Sequence, residues 1–226
     1  RFGRSPMYFF GSLGTLMFLV GGFTTIWVIA EKLYKQYHDL ATRAVTDQPL
    51  FFVAIVTVIL GAQLFLAGFL GELINRATEL NPFAMGIIVA VSVGCILTLP
   101  ISSAALCISI GISGLAAGAA TAGCCAQMVG FAVISFRENG FGGLISQGLG
   151  TSMLQIGNIA RKPIIWLAPT LTSAILGPVS TVWLGMTNNA LGAGMGTAGL
   201  VGPLATYATM SGTVPNSMLI TEIVLL

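Results

Sequence analysis

The sequence predicts an all-α, polytopic integral membrane protein with broken or re-entrant helices in its C-terminal part. Hydrophobic residues make up 55% of the 226 residues and charged residues only 7%, whereas soluble domains carry roughly 25% charged residues. The mean hydropathy is +0.94. Two tracts, 80–136 and 163–221, contain no charged residue, and each exceeds the ~20 residues of one membrane-spanning helix. The chain therefore has room for several spans.

Several classes of function are disfavoured by the same composition. The net charge is only +2 and no basic patch with interleaved aromatic residues occurs, so we expect no nucleic-acid partner. The four cysteines lie in apolar tracts without paired spacing, and the single histidine, His38, lies in a polar segment. This pattern predicts no metal site and no cofactor. The N-terminal apolar segment also exceeds the 7–15 apolar residues of a cleavable signal peptide.

Residues 1–76 are predicted to form a two-helix transmembrane hairpin. We expect spans at 6–30 and 49–74, antiparallel, each of about 25 residues and about 37 Å long at 1.5 Å per residue. The polar segment 31–48 connects them, and Pro49 suits the first position of a helix. Glycines in the first span allow close helix approach. No glycine or proline interrupts 72–79, so the second span should continue helically until Pro82 opens the next element.

Residues 77–226 form the second predicted region, which is rich in small residues. A span at 82–99 should break at Pro100, because proline removes a backbone hydrogen bond, and neighbouring hydroxyl groups can satisfy the freed carbonyls. A second helix should follow and continue to Phe136, ending in the polar group Arg137 to Gly140.

The next segment, 141–160, is too polar to face lipid along its whole length. On one helix, Gln147, Thr151, Gln155 and Asn158 would form a single polar stripe, because they occur at i, i+4, i+8 and i+11. Such a helix lies at the membrane interface or lines a wet cavity.

The last third of the chain contains interrupted segments. A span should run through 163–184 with an interruption at Gly177–Pro178. The glycine-rich stretch 188–203 disfavours a continuous helix, so we expect an irregular or re-entrant segment buried in protein. A final span should continue towards residue 221.

Known catalytic motifs are not supported. Gly194-Met-Gly-Thr-Ala-Gly199 matches the glycine spacing of a dinucleotide site, but the strand that such a site requires is not predicted before it. No paired carboxylates occur in an apolar tract, and Glu138 neighbours Arg137, with which it would form a solvated pair at a helix end. We therefore predict that the chain is not an enzyme.

Uncharged polar side chains beside broken helices are the candidate binding residues. Amides and hydroxyls in a low-dielectric setting suit a neutral polyhydroxy solute, although helix–helix hydrogen bonds explain any one of them equally well. We expect the breaks at Pro100 and 192–202 to lie at similar depth and to face one another or a shared cavity. The candidate residues are Thr98, Ser102, Ser103, Gln127, Gln147, Gln155, Asn158, Asn188 and Asn189.

The first 76 residues resemble the C-terminal membrane hairpin of Bacteroidetes-type family 2 glycosyltransferases, which act on polyprenyl phosphates. This resemblance implies a segment that anchors and oligomerises an enzyme whose catalytic domain is not included here. The residues that carry it are Arg1-Phe-Gly-Arg-Ser-Pro-Met-Tyr-Phe-Phe-Gly11, Thr46-Asp-Gln-Pro-Leu-Phe-Phe52 and Gly61-Ala-Gln-Leu-Phe-Leu-Ala-Gly-Phe-Leu-Gly-Glu-Leu-Ile74.

Residues 79–226 are similar to the C-terminal half of enzyme IIC-like membrane proteins of the sugar phosphotransferase system, nearest to the divergent subfamily described as toxin regulators. Because the two resemblances have no shared function, a chimera with its junction near 75–79 is expected. The matching stretches are Leu80-Asn-Pro-Phe-Ala-Met-Gly-Ile-Ile88, Leu97-Thr-Leu-Pro-Ile-Ser-Ser-Ala-Ala105, Gly114-Leu-Ala-Ala-Gly-Ala-Ala120, Gly148-Leu-Gly-Thr-Ser-Met-Leu-Gln155 and Gly194-Met-Gly-Thr-Ala-Gly-Leu-Val-Gly202.

Two functions from different classes follow. One is membrane transport, as part of an enzyme IIC-like permease for a small neutral, sugar-like solute. The other is a membrane anchor or oligomerisation module without catalytic activity of its own. In either case we expect a multi-pass protein of the bacterial inner membrane, in contact with lipid and forming a homo-oligomer.

Overall fold

The computed structural model describes residues 7–38, 44–78, 81–212, 215 and 220. Within them the chain is helical, as predicted, apart from turns and one short antiparallel pairing of Gly114 with Asn188. Among the described residues, four apolar helical stretches, at 8–37, 49–73, 114–150 and 163–183, are long enough to cross a membrane. The helices are α1 (Ser12–Tyr37), α2 (Pro49–Thr78), α3 (Pro82–Thr98), α4 (Ser103–Ile110), α5 (Gly114–Ile145), α6 (Ile156–Arg161), α7 (Leu167–Pro178), α8 (Ala190–Met195) and α9 (Val201–Met210).

The chain divides into two compact units, 1–72 and 73–226. In the first unit, α1 and α2 form the predicted antiparallel hairpin. Gly14 lies against Gly61, and Gly21 lies against Ala54. Residue numbers rise along α1 while those of the contacted residues fall along α2, so the two helices are antiparallel. α1 extends seven residues beyond the predicted end at residue 30, to Tyr37. Its large apolar side chains are mostly exposed, as expected for a surface that faces lipid.

The junction between the two predicted regions is helical up to Thr78, where α2 ends. Residues 79 and 80 lie outside the described residues. Pro82 then opens α3, and the Asn81 side chain caps this helix by accepting a hydrogen bond from the Phe83 amide. The start of α3 at Pro82 agrees with the prediction, because proline fits the first turn of a helix. The Asn81 cap was not predicted, although asparagine is a favoured N-cap residue.

Three long helices form the centre of the second unit. α3 and α5 run parallel, with Gly94 beside Gly123, and Thr98 bonded to Gln127. α7 runs antiparallel to both, and its Ser173 hydroxyl donates to the Gly123 carbonyl at 3.1 Å. The core between them consists mostly of alanine, valine and methionine side chains. Such small side chains allow the helix backbones to approach closely.

The predicted break at Pro100 is confirmed, but the helix expected after it is two helices. Leu99 is extended and α4 begins at Ser103. α4 is only eight residues long, ends at the left-handed Gly111, and is followed by α5. Because α4 carries the chain back, α3 and α5 can point in the same direction. The prediction of one continuous helix after the break, up to Phe136, was wrong, because α4 and α5 are separate helices.

The prediction of one continuous polar helix through 141–160 is also wrong. α5 bends at Gly140 and ends at Ile145, and one π-helical turn follows at Ser146–Gly150. Thr151 is extended, with φ −157°, and its side chain accepts a hydrogen bond from the Met153 amide. A 3₁₀ turn and α6 then follow. The threonine acts as a cap rather than as one position of a polar stripe.

The glycine-rich stretch near the C-terminus is irregular, as predicted. The six-residue α8 and the ten-residue α9 form a helical hairpin, in which Gly192 contacts Ala205 and Gly196 contacts Gly202. Beyond residue 212 only two single residues are described. The predicted continuation of the final span to residue 221 therefore lies mostly outside the described residues.

Candidate functional site

The nine candidate binding residues do not form one cluster. Six of them are buried and three are exposed, and they occupy several separate places in the second unit. The buried ones are Thr98, Ser103, Gln127, Gln147, Gln155 and Asn188, and the exposed ones are Ser102, Asn158 and Asn189.

Thr98 and Gln127 belong to a buried hydrogen-bond network that joins the three central helices. The Thr98 hydroxyl lies 3.4 Å from the Gln127 Oε1 atom and 3.2 Å from the Ser152 hydroxyl. The Gln127 Nε2 group donates to the Thr170 hydroxyl at 3.2 Å. These side chains use their hydrogen bonds on one another, so the network holds helices together. Ser152 and Thr170 were not identified from the sequence, because no local spacing links them to Thr98.

The two backbone breaks face one another, as predicted from the sequence. The Ser103 hydroxyl donates to the Gly194 carbonyl at 2.6 Å, and Gly194 packs on the backbone of Ala104. Ser102 caps α4 by accepting a hydrogen bond from the Ala105 amide. A hydroxyl group at the first break therefore provides the hydrogen-bond partner of a backbone carbonyl at the second.

Asn188 holds the second break in place. Its Nδ2 group donates to the Thr121 and Thr206 hydroxyls at 2.8 and 2.9 Å and to the Gly202 carbonyl at 3.2 Å. Its Oδ1 atom accepts from the amide of Asn189, whose own side chain caps α8. All polar atoms of the Asn188 side chain have partners, which indicates a structural role.

Two segments of the chain have similar sequences, which was not recognised from the sequence alone, and the second of them contains the glycine motif Gly194 to Gly199. Residues 115–123 and 191–199 share six of nine residues, including Thr121 with Thr197 and Gly123 with Gly199. The first copy lies within α5, which begins at Gly114. Only residues 191–195 of the second copy lie in α8, which begins two residues after Asn188, the partner of Gly114. The apparent dinucleotide motif is part of the second copy, and its first glycine makes a close helix contact.

Gln155 and Asn158 lie on a polar cleft of about 340 Å³ between the end of α5, α6 and the turn after α6. The Asn158 Nδ2 group donates to the Gln155 Oε1 atom at 2.8 Å. The rest of the lining combines a hydroxyl, an amide, three charged groups and two isoleucines, namely Ser135, Asn139, Glu138, Arg161, Lys162, Ile134 and Ile165.

The charges of this cleft were not predicted to lie together. The sequence suggested that Glu138 pairs with Arg137 at a helix end. Instead Glu138 lines the cleft together with Arg161 and Lys162, which follow more than twenty residues later. Within the part of the chain that the structure describes, none of these three charged groups forms an ion pair. The bend at Gly140 and the turns that follow bring Glu138 to the same cleft as Arg161 and Lys162.

Gln147 is buried apart from the other candidate residues. It lies on the π-helical turn, is 4% exposed, and its Oε1 atom has no hydrogen-bond partner among the described residues. It does not line the polar cleft. The stripe of four polar side chains is therefore divided between a buried turn, a cap and the cleft.

The apolar helices are those of an all-α polytopic membrane protein. A family model described as "Phosphotransferase system, EIIC" matches residues 15–226. Because the match covers most of the chain, the chain belongs to the EIIC family of the phosphotransferase system, whose domains are the membrane permease components of sugar transport.

The family match begins within α1 and continues through residues 75–79, where a junction was expected. It supports the enzyme IIC-like resemblance, and the comparisons give no support to a glycosyltransferase hairpin or to a chimera. No curated protein matches the chain. No solved structure matches it either.

Proposed function

We propose that the chain is part of a permease of the bacterial inner membrane that binds a small neutral, sugar-like solute in the polar cleft. It has no catalytic step of its own in this proposal. The observation that carries the proposal is the lining of the cleft, in which Ser135, Asn139, Gln155 and Asn158 provide uncharged donors and acceptors. Lipid and further copies of the chain are the other expected partners.

The size and chemistry of the cleft suit such a solute. Its volume of about 340 Å³ falls within the roughly 300–1,000 Å³ typical of small-molecule sites. Amides and hydroxyls can donate and accept hydrogen bonds at once, which matches the hydroxyl groups of a sugar. Ile134 and Ile165 provide apolar contact for the carbon skeleton.

The other candidate residues are less suited to contact a solute. Asn188 has partners on all its polar side-chain atoms, and Thr98 and Gln127 bond to neighbouring helices. A solute that displaced these bonds would have to replace each of them, because a buried polar group without a partner costs roughly 1–3 kcal/mol. The proposal therefore narrows the predicted site to Gln155 and Asn158 and adds Ser135, Glu138 and Asn139.

The test is sugar binding by the full chain in phosphatidylcholine nanodiscs, measured by calorimetry with a panel of neutral mono- and disaccharides. Asn158→Leu should weaken binding of the preferred sugar by about tenfold, because one or two hydrogen bonds of about 1 kcal/mol each are lost. Its folded yield should stay near that of the unchanged protein, since Asn158 is exposed.

Gln63→Leu is the matched control, because it makes the same kind of replacement within the other unit. It should leave sugar affinity unchanged. If no neutral sugar binds, or if Asn158→Leu and Gln63→Leu bind equally well, the cleft is not the solute site. Such a result would favour the alternative of an anchor module without a ligand.

A further inference from the structure

The cleft contains more charge than a neutral solute requires. Arg161 and Lys162 provide two cations at the end of α6, and Glu138 provides one carboxylate from α5. All three side chains are exposed and, among the described residues, none forms an ion pair. The formal charge of the lining is therefore +1, with both cations free to bind an anion.

The two basic groups offer complementary contacts. The guanidinium of Arg161 is a planar fork that suits two oxygens of a phosphate, and the ammonium of Lys162 acts as a compact point charge. The amide of Asn158 lies one helical turn before them and also lines the cleft. This combination fits a ligand with hydroxyl groups at one end and a phosphate at the other.

We propose that Arg161 and Lys162 bind the phosphate group of an anionic ligand, and that the amides of the same cleft bind its hydroxyl groups. This inference uses the cleft of the proposed function and adds a second class of ligand to it. The phosphate can come from a soluble sugar phosphate or from the headgroup of an anionic lipid such as phosphatidylglycerol, which also carries hydroxyl groups.

A substitution of Glu138 should change the affinities for a phosphate ligand and for a neutral sugar in opposite directions. Its carboxylate repels a phosphate in the same cleft but accepts hydrogen bonds from the hydroxyl groups of a neutral sugar. Glu138→Gln should therefore raise the affinity for a phosphate ligand severalfold and lower the affinity for a neutral sugar. A purely structural role of Glu138 would change both affinities in the same direction.

The soluble arm of the experiment uses a hexose monophosphate and inorganic phosphate, titrated against the full chain in phosphatidylcholine nanodiscs. Arg161→Gln and Lys162→Gln should each weaken binding of the hexose monophosphate by about tenfold, because each removes a charge-assisted hydrogen bond. Arg137→Gln is the matched control, since Arg137 is exposed, adjoins Glu138 and does not line the cleft. It should bind like the unchanged protein.

The lipid arm counts phosphatidylglycerol molecules retained on the protein by native mass spectrometry, for the same variants. Retention lost in Arg161→Gln and Lys162→Gln but kept in Arg137→Gln identifies a lipid headgroup as the source of phosphate. Binding of the hexose monophosphate with the same pattern identifies a soluble ligand.

Two results overturn the proposal. One is the absence of both kinds of binding, and the other is an equal loss in Arg137→Gln, which would indicate a general effect of surface charge. Arg161→Lys keeps the cation but loses the planar fork, so it should bind more weakly than the unchanged protein and more tightly than Arg161→Gln. Partial recovery of this kind shows that the loss in Arg161→Gln is not caused by misfolding. Neutral sugar binding in the same preparations tests the proposed function separately, because it does not require either cation.

Discussion

At the scale of single residues, the two asparagines at 158 and 188 have different roles although both were predicted binding residues. Asn158 is exposed and has one side-chain partner, Gln155. Asn188 is 1% exposed and donates to three groups on α5 and α9. The difference arises from their surroundings, and it leads to opposite expectations for the same substitution.

Asn188→Leu should lower the free energy of unfolding by about 3 kcal/mol. The substitution removes the donor to the Thr121 and Thr206 hydroxyls and the acceptor of the Asn189 amide, and a buried polar group that loses its partner costs roughly 1–3 kcal/mol. The Gly202 carbonyl keeps the Thr206 hydroxyl as a donor. Unfolding by titration with sodium dodecyl sulfate measures the change. Asn158→Leu is the control and should stay within about 1 kcal/mol. Equal stability of the two variants would contradict the structural role of Asn188.

Gly140 is a second residue with a specific backbone requirement. Its φ of 56° and ψ of −148° lie in a region that side chains with a Cβ rarely adopt. Gly140→Ala should therefore destabilise the second unit by about 1–3 kcal/mol and disturb the adjacent cleft. Thermal unfolding in detergent and sugar binding measure the two effects.

Gly142→Ala serves as the control for Gly140→Ala. Gly142 lies two residues further along α5, without a positive φ, and a Cβ there would meet nothing within 4 Å. Its melting temperature should match that of the unchanged protein or exceed it slightly. A Gly140→Ala variant as stable as Gly142→Ala would show that the bend does not require glycine.

At the scale of helices, close backbone contact between α3 and α5 supports the second unit. Gly123 of α5 lies on the backbone of Ala90 and beside Gly94 of α3, so there is no room for a Cβ. Gly123→Ala should cost about 3 kcal/mol, because backbone cannot move as a side chain can. Titration with sodium dodecyl sulfate measures this loss.

Gly157→Ala in α6 is the comparison for Gly123→Ala, because a Cβ at Gly157 meets open space. There alanine should be neutral or stabilising by up to about 1 kcal/mol, since it favours helix more than glycine does. If both variants lose the same stability, the contact between α3 and α5 is looser than the structure indicates.

At the scale of the whole molecule, the exposed apolar surface implies contact with lipid. Trp27 is 60% exposed on α1, within the apolar stretch 8–37. In a variant that keeps Trp27 as its only tryptophan, brominated lipids should quench most of the fluorescence, and aqueous iodide little of it. Strong quenching by iodide instead would place α1 outside the membrane.

A control for Trp27 comes from the second unit. Trp166 is partly buried and its Nε1 atom is enclosed without a partner among the described residues. A variant with Trp166 alone should be quenched less by brominated lipids than the Trp27 variant. This difference separates exposure to lipid from a general effect of the bromine atoms.

The sequence by itself determined the class of protein and several of the local boundaries. Tracts without charge require a membrane or a protein interior, whatever the fold, because a charge in lipid is costly. The hairpin, the start of α2 at Pro49 and the break at Pro100 follow from rules that act within a few residues. The segment 72–78 at the junction of the two predicted regions is helical because no glycine or proline interrupts it.

Only the tertiary structure decided which polar residues share a site. The helix through 141–160 was predicted from periodicity, but Gly148, Gly150 and the cap of Thr151 interrupt it. The partners Thr98 and Ser152 are 54 residues apart, and Glu138 and Arg161 line the same cleft although they lie on different helices. Periodicity describes one helix at a time, whereas a binding site depends on packing between distant helices. Long-range packing therefore determined which polar groups are satisfied and which remain free for a ligand.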